Sequence, residues 1–162
     1  MRLLSMLVII FKLYDTNSSK GLSLKTQVLY LVVFVSRYLD FTNNIMSGGW
    51  YDVYLAGMKI TYISVNAFVV YLMACPYRDT YQKEQDTFPS HWGVLLSLIL
   101  AIIWNQEFSF LEVMWTFSAY LEVFCVLPQM YLIIKEREMD TYTGYYLLCL
   151  GGHRFLYILN WL

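Results

Sequence analysis

A polytopic, all-α bundle of membrane-crossing helices is the fold class this sequence predicts, and three observations predict it. The 162 residues are 59% hydrophobic and only 14% charged, whereas a soluble domain carries about 25% charge. The apolar residues gather in six windows separated by short polar connections. The first, third and fifth connections hold lysine and arginine and the second and fourth hold none, the alternation expected when every other connection stays in the cytoplasm.

The windows place helices at about 3 to 14, 26 to 44, 53 to 75, 91 to 105, 108 to 134 and 143 to 162. The first, MRLLSMLVIIFK, has Arg2 ahead of an apolar stretch, as a signal sequence does. Lys12 follows it and no small-residue cleavage site appears, so it reads as a truncated first span. In the second window, Arg37, Asp40 and Asn44 share a face near the non-cytoplasmic end, and a local Arg37 to Asp40 pair is one reading of it. The third carries Lys59 near its non-cytoplasmic end, where its stem can snorkel. The fourth has an apolar core only from Trp92 to Trp104, short of the roughly 20 residues an upright span needs.

The basic connections are KLYDTNSSKGLSLK, with Lys12, Lys20 and Lys25, then PYRDTYQKEQDTFPS, with Arg78 and Lys83, then KEREMD, with Lys135 and Arg137. The positive-inside rule puts all three in the cytoplasm. The sequon Asn17-Ser18-Ser19 falls in the first, where it stays unmodified. A net charge of −1 with scattered cations argues against a nucleic-acid partner. Cys75, Cys125 and Cys149 form no disulfide framework, and two histidines without a Cys/His cluster make a metal site improbable. No nucleophile with a nearby base, phosphate loop or nucleotide motif is visible, so neither catalysis nor a cofactor is expected.

The fifth window carries the site. Two glutamates, Glu112 and Glu122, interrupt the apolar run NQEFSFLEVMWTFSAYLEVFCVLPQ, and a carboxylate at membrane depth costs roughly 2.5 to 3.5 kcal/mol on insertion scales, so a partner is required. At helical spacing Trp115, Ser118, Glu122 and Gln129 fall in one stripe, with Glu112 about 60 to 100° to its side. Pro128 removes the backbone bond to the Phe124 carbonyl and predicts a kink. Candidate partners are Arg37 and Arg154. On the sixth helix Tyr157 and Trp161 share the face of Arg154, with Asn160 beside it and His153 next in sequence. Pairing of Arg154 with Glu112 or Glu122 and a ligand role for Arg154 are both open readings.

The segments SRYLDFTNN, TYQKEQDTF, FSFLEVMWTFSAYLEVFCVLPQ and HRFLYILNW resemble the KDEL receptors, seven-helix proteins that retrieve escaped endoplasmic-reticulum residents from the Golgi. The likeness runs from about Gly21 to the end of the chain and implies a fold similar to SWEET and PQ-loop proteins, with Pro128-Gln129 as the PQ element. The resemblance implies that Arg37 and Tyr38 contact the retrieval signal, that Glu112 and Trp115 line the pocket, and that Arg154, Tyr157, Asn160 and Trp161 form the sixth-helix site. It implies a proton-sensing core at Glu122, and puts Arg2 where a pH-sensing histidine is expected and His153 where a tyrosine is. Asp40 and His153 are further candidates for that core.

A C-terminal Lys-Asp-Glu-Leu or His-Asp-Glu-Leu tetrapeptide fits this set: arginines suit its carboxylates and Glu112 suits a cation. The expectation is a single membrane-embedded receptor domain over 1–162, incomplete at the N-terminus and lacking the last helix and the cytosolic tail that engages the retrograde vesicle coat. Its place is in the endoplasmic-reticulum and Golgi membranes, with the lipid bilayer as partner. The alternatives are a SWEET or PQ-loop type transporter of small solutes and a non-functional truncated product; the density of charge disfavours a sugar pathway, which uses neutral hydrogen-bonding groups.

Overall fold

A computed structural model of the chain describes residues 2–39, 50–105, 108–137 and 139–161. Among them it is helical throughout, with no strand: α1 (Arg2–Thr16), α2 (Leu24–Arg37), α3 (Trp50–Ala74), α4 (Ser90–Ile103), α5 (Phe110–Phe124), α6 (Leu127–Glu136) and α7 (Thr141–Trp161), plus a single 3₁₀ turn, Arg78–Thr80. α1 packs on α7 and α3, α2 lies between α3 and α5, and α4 packs along α5. Gly93 permits the last approach, since a Cβ there would come within 3.2 Å of Phe124.

The inward stripes of these helices meet in one core of Ile9, Leu13, Val33, Phe34, Val69, Met73 and Leu121, all essentially inaccessible. The outer surface is apolar too: Leu7, Phe11, Ile60, Ile99, Ile103, Ile134, Leu148 and Phe155 are exposed. A helix apolar all round, exposed on its outer side, matches hydrocarbon rather than water. α3, and α5 with α6 as one 27-residue rod, are long and apolar enough to span a membrane. Only 17% of α3's apolar window is buried in the protein, the opposite of a soluble core helix.

Six windows thus become six rods, but two details differ from expectation. The second helix was expected to reach residue 44 and instead ends at Arg37, with Tyr38 as C-cap donating its N–H to the Phe34 carbonyl. Asp40 and Asn44 lie outside the described residues, and with them the local Arg37 to Asp40 pair. At the expected Pro128 kink the rod is interrupted only at Cys125 and Val126, both of which keep right-handed helical dihedrals, and Pro128 stands at the start of α6. Proline is tolerated in a first turn, where its missing N–H has no obligatory partner.

One end of the bundle is sewn together by its connections. Ser23 caps α2, accepting from Thr26 N–H at 3.3 Å, and donates to Asp86 Oδ2 at 2.8 Å. Asp86 Oδ2 also accepts from Tyr81 at 2.6 Å. Gln129 accepts from Ser23 N–H and donates to the Gly21 carbonyl, each at 2.8 Å. Gly21 holds φ +75, the left-handed region that glycine enters without steric cost. Lys12, expected in the first connection, is instead inside α1 and 2% exposed; its ammonium reaches the Lys20 carbonyl, Asp140 and Thr143 between 2.8 and 2.9 Å. Burial is tolerable because all three N–H groups have acceptors.

Candidate ligand-binding site

At the opposite end the cations converge on one carboxylate. Arg2 lies ten residues before Lys12 on α1, about 15 Å along the axis, and its guanidinium pairs with Glu122 Oε1. Arg154 Nη2 reaches the same oxygen at 3.1 Å, and Arg37 Nη2 reaches Oε2 at 2.6 Å. Three helices, α1, α2 and α7, therefore meet α5 at Glu122, whose side chain is 7% exposed.

The spacing within α5 organises this. Trp115, Ser118 and Glu122 share one face, as their separation of three and four residues requires. Ser118 accepts from Arg37 Nε at 3.1 Å and donates to the Trp115 carbonyl at 2.6 Å, so it turns the Arg37 fork toward Glu122. Arg2 is held between aromatic rings, its guanidinium carbon 4.6 Å from the Tyr30 centroid and 4.7 Å from that of Phe34. Phe34 in turn stacks on Tyr38 and Tyr62, and the Lys59 ammonium lies over the Tyr38 ring at 5.7 Å.

Beside this cluster is a cavity of about 380 Å³, lined by Arg2, Phe34, Arg37, Tyr38, Tyr62, Trp115, Ala119, Glu122, His153 and Arg154. Its charged lining is three guanidiniums against one carboxylate, three minus one leaving two positive charges. Arg2 Nη2 and His153 Nδ1 are buried without a hydrogen-bond partner. Two uncompensated charges and two unspent polar atoms in an apolar bundle complement an anionic, hydrogen-bonding ligand. A smaller recess of about 120 Å³ adjoins it, lined by Ser36, Arg37, Leu39, Leu111, Glu112 and Trp115. Arg37 and Trp115 face both spaces.

Of the residues singled out from the sequence, the fold brings Arg37, Tyr38, Trp115, Glu122, His153 and Arg154 to one cavity and sets Glu112 in the adjoining recess. Of the two glutamates open to Arg154 as partners, it pairs with Glu122. Tyr157, Asn160 and Trp161 belong to α7, and their side chains lie outside the described residues. Arg2 was not among the residues assigned to the site, having been read as the flank of an apolar stretch and, by resemblance, as standing where a pH-sensing histidine is expected. The signal that could have found it is periodic: Arg2, Ser5, Ile9, Lys12 and Leu13 form the buried stripe of α1, with a cation near each end.

Residues 18–162 match the family model described as ER lumen protein retaining receptor. The chain is 40% identical over 158 residues to the ER lumen protein-retaining receptor erd-2.1 of Caenorhabditis elegans, covering 98% of this chain and 72% of that protein. It is 43% identical over 161 residues to the ER lumen protein-retaining receptor of Petunia hybrida, covering 98% and 73%. It is 42% identical over 163 residues to ER lumen protein-retaining receptor B of Arabidopsis thaliana, covering 99% and 73%.

Proposed function

The chain belongs to the ER lumen protein-retaining receptor family, and from that premise we propose that its cavity receives the C-terminal KDEL- or HDEL-type tetrapeptide of lumenal proteins for pH-dependent Golgi-to-ER retrieval. The observation that carries the proposal is the excess of two positive charges around Glu122 in a cavity at the end of the bundle away from the buried Lys12. A retention peptide brings a terminal carboxylate and two acidic side chains, and forked guanidinium groups are the partners of choice for carboxylates. In this reading Arg37 and Arg154 exchange part of their hold on Glu122 for the peptide, because ligand carboxylates supply an equivalent acceptor. Glu112, in the recess shared with Arg37 and Trp115, takes the peptide's cationic side chain. Tyr38 and Trp115 give apolar walls with polar edges, and Tyr157, Asn160 and Trp161 extend the site along α7. Asp40 stays a candidate for the acid-sensing core.

The same reading puts the protein in the endoplasmic-reticulum and Golgi membranes as a receptor rather than an enzyme, with the retrograde vesicle coat as the partner that carries it back. Fluorescent peptide ending in Lys-Asp-Glu-Leu is expected to bind the chain in lipid nanodiscs, and the C-terminally amidated peptide to bind at least roughly tenfold more weakly, since a guanidinium to carboxylate bond has lost its acceptor charge. Equal affinity for both peptides rejects carboxylate capture. Solute flux into liposomes without peptide binding would favour transport instead.

A further inference from the structure

His153 lines the cavity with the three guanidiniums, and its Nδ1 is buried with no hydrogen-bond partner. A ring nitrogen so placed has lost water and gains nothing in return until a ligand meets it. Charged and titratable groups share that cavity from each helix packed there: Arg2 on α1, Arg37 and Tyr38 on α2, Tyr62 on α3, Glu122 on α5 and Arg154 on its own helix; outside the lining, Tyr30 lies against Arg2, Lys59 over Tyr38, and buried Cys125 three residues on from Glu122. The chain's amino group also acts on it.

Arginine keeps its charge throughout the physiological range, and phenols, thiols and lysine ordinarily ionise above it. Glu122 has both oxygens on guanidinium groups from three helices, an arrangement that suits a carboxylate. Amino group aside, imidazole is the group here that ordinarily changes charge between about pH 5 and 8. Only in the imidazolium are both ring nitrogens donors, the form that complements a carboxylate.

Resting on the receptor reading above, we infer that His153 contacts the ligand, donating from Nδ1 to a carboxylate of the bound peptide when protonated, and that it supplies this chain's response to acid. Peptide and proton then enter the cavity together: one proton passes from solvent to the imidazole, and the charge it adds is met by the incoming carboxylate. The guanidiniums provide the part of the hold that does not depend on pH.

The test is the affinity of the fluorescent Lys-Asp-Glu-Leu peptide for the chain in nanodiscs at about pH 5.5 and about pH 7.5. The expected result is binding tighter at the lower pH by roughly tenfold, within the limit set by linkage to one proton. His153→Gln is expected to bind more weakly in acid than the native chain and to compress the ratio to less than about twofold. A His153→Gln variant that keeps the native ratio overturns the inference and moves the response to the amino group or elsewhere, and a native chain that binds with equal affinity at both pH values overturns it as well.

Calorimetry on the unmodified chain in buffers of different ionisation enthalpy needs no variant: uptake of about half a proton per peptide near pH 6.5 is expected, the amount that a tenfold ratio over two pH units requires, and binding without uptake overturns the inference. A chain that binds no peptide at either pH rejects the receptor reading itself, and this inference falls with it.

Discussion

Glu122 is where the cost of burying charge is met. Its two oxygens serve Arg2, Arg37 and Arg154, so a single carboxylate stabilises guanidiniums from three helices. Removing one partner of a buried pair leaves the others uncompensated, which costs about 3 to 5 kcal/mol. Glu122→Ala therefore lowers the thermal midpoint of the purified chain in detergent strongly, and an unchanged midpoint would show that the cluster is not structural. Arg37→Glu sets two carboxylates together and removes a ligand donor, so peptide binding in nanodiscs is expected to vanish. Away from the membrane, Tyr81 donates to Asp86, and burial, then this hydrogen bond, push its phenol well above its ordinary value near 10. A folded-state pKa that is raised contributes stability that is whole below the unfolded value and is lost as pH rises past it. Unfolding midpoints measured upward from about pH 9 should thus fall beyond about pH 10, and Tyr81→Phe should lessen that slope.

The α5–α6 rod joins the two ends of the bundle. Its polar stripe presents Ser118 and Glu122 to the cavity and, seven residues beyond Glu122, Gln129 to the connections at the other end. Gln129 is wholly buried and spends its amide on Ser23 N–H and the Gly21 carbonyl. Gln129→Ala leaves the buried Ser23 N–H and the partly buried Gly21 carbonyl without this partner, and an unsatisfied buried group costs about 1 to 3 kcal/mol. The expected outcome is a lower melting temperature together with faster protease cleavage between Thr16 and Leu24, since that connection loses its anchor. Cleavage at the native rate would mean that Ser23 and Asp86 hold it without help. α2 shows how tertiary contacts set an end: it stops at Arg37 with that side chain turned onto α5.

At the scale of the molecule, charge is sorted between the two ends. Lys12 is clamped by Asp140 and Thr143, Lys25 by the Phe88 carbonyl and Lys135 by the Glu84 and Gln85 carbonyls, all at the end away from the cavity. The positive-inside rule assigns that end to the cytoplasm. Asn17, on the same side, is expected to remain without glycan when the chain is expressed in eukaryotic cells, and a mobility shift on endoglycosidase treatment that Asn17→Gln abolishes would invert the orientation.

The number of rods, their order, the sidedness of the lysines and the polar face of α5 were all legible in the sequence, because each depends on composition and on a period of 3.6 residues within one helix. The cavity's Arg37, Glu122 and Arg154 were legible too, because they are ionisable groups in apolar runs and such groups need partners. Which partner each takes was not, since Arg37 had Asp40 within reach along its own helix and Arg154 had two glutamates to choose from. Only the packing of α1, α2 and α7 around α5 directs three cations to one carboxylate and brings Arg2, near the start of the chain, to within contact of Glu122, 120 residues away. Periodicity acts along a single helix, whereas an excess of two positive charges in a shared cavity is a property of the space between helices.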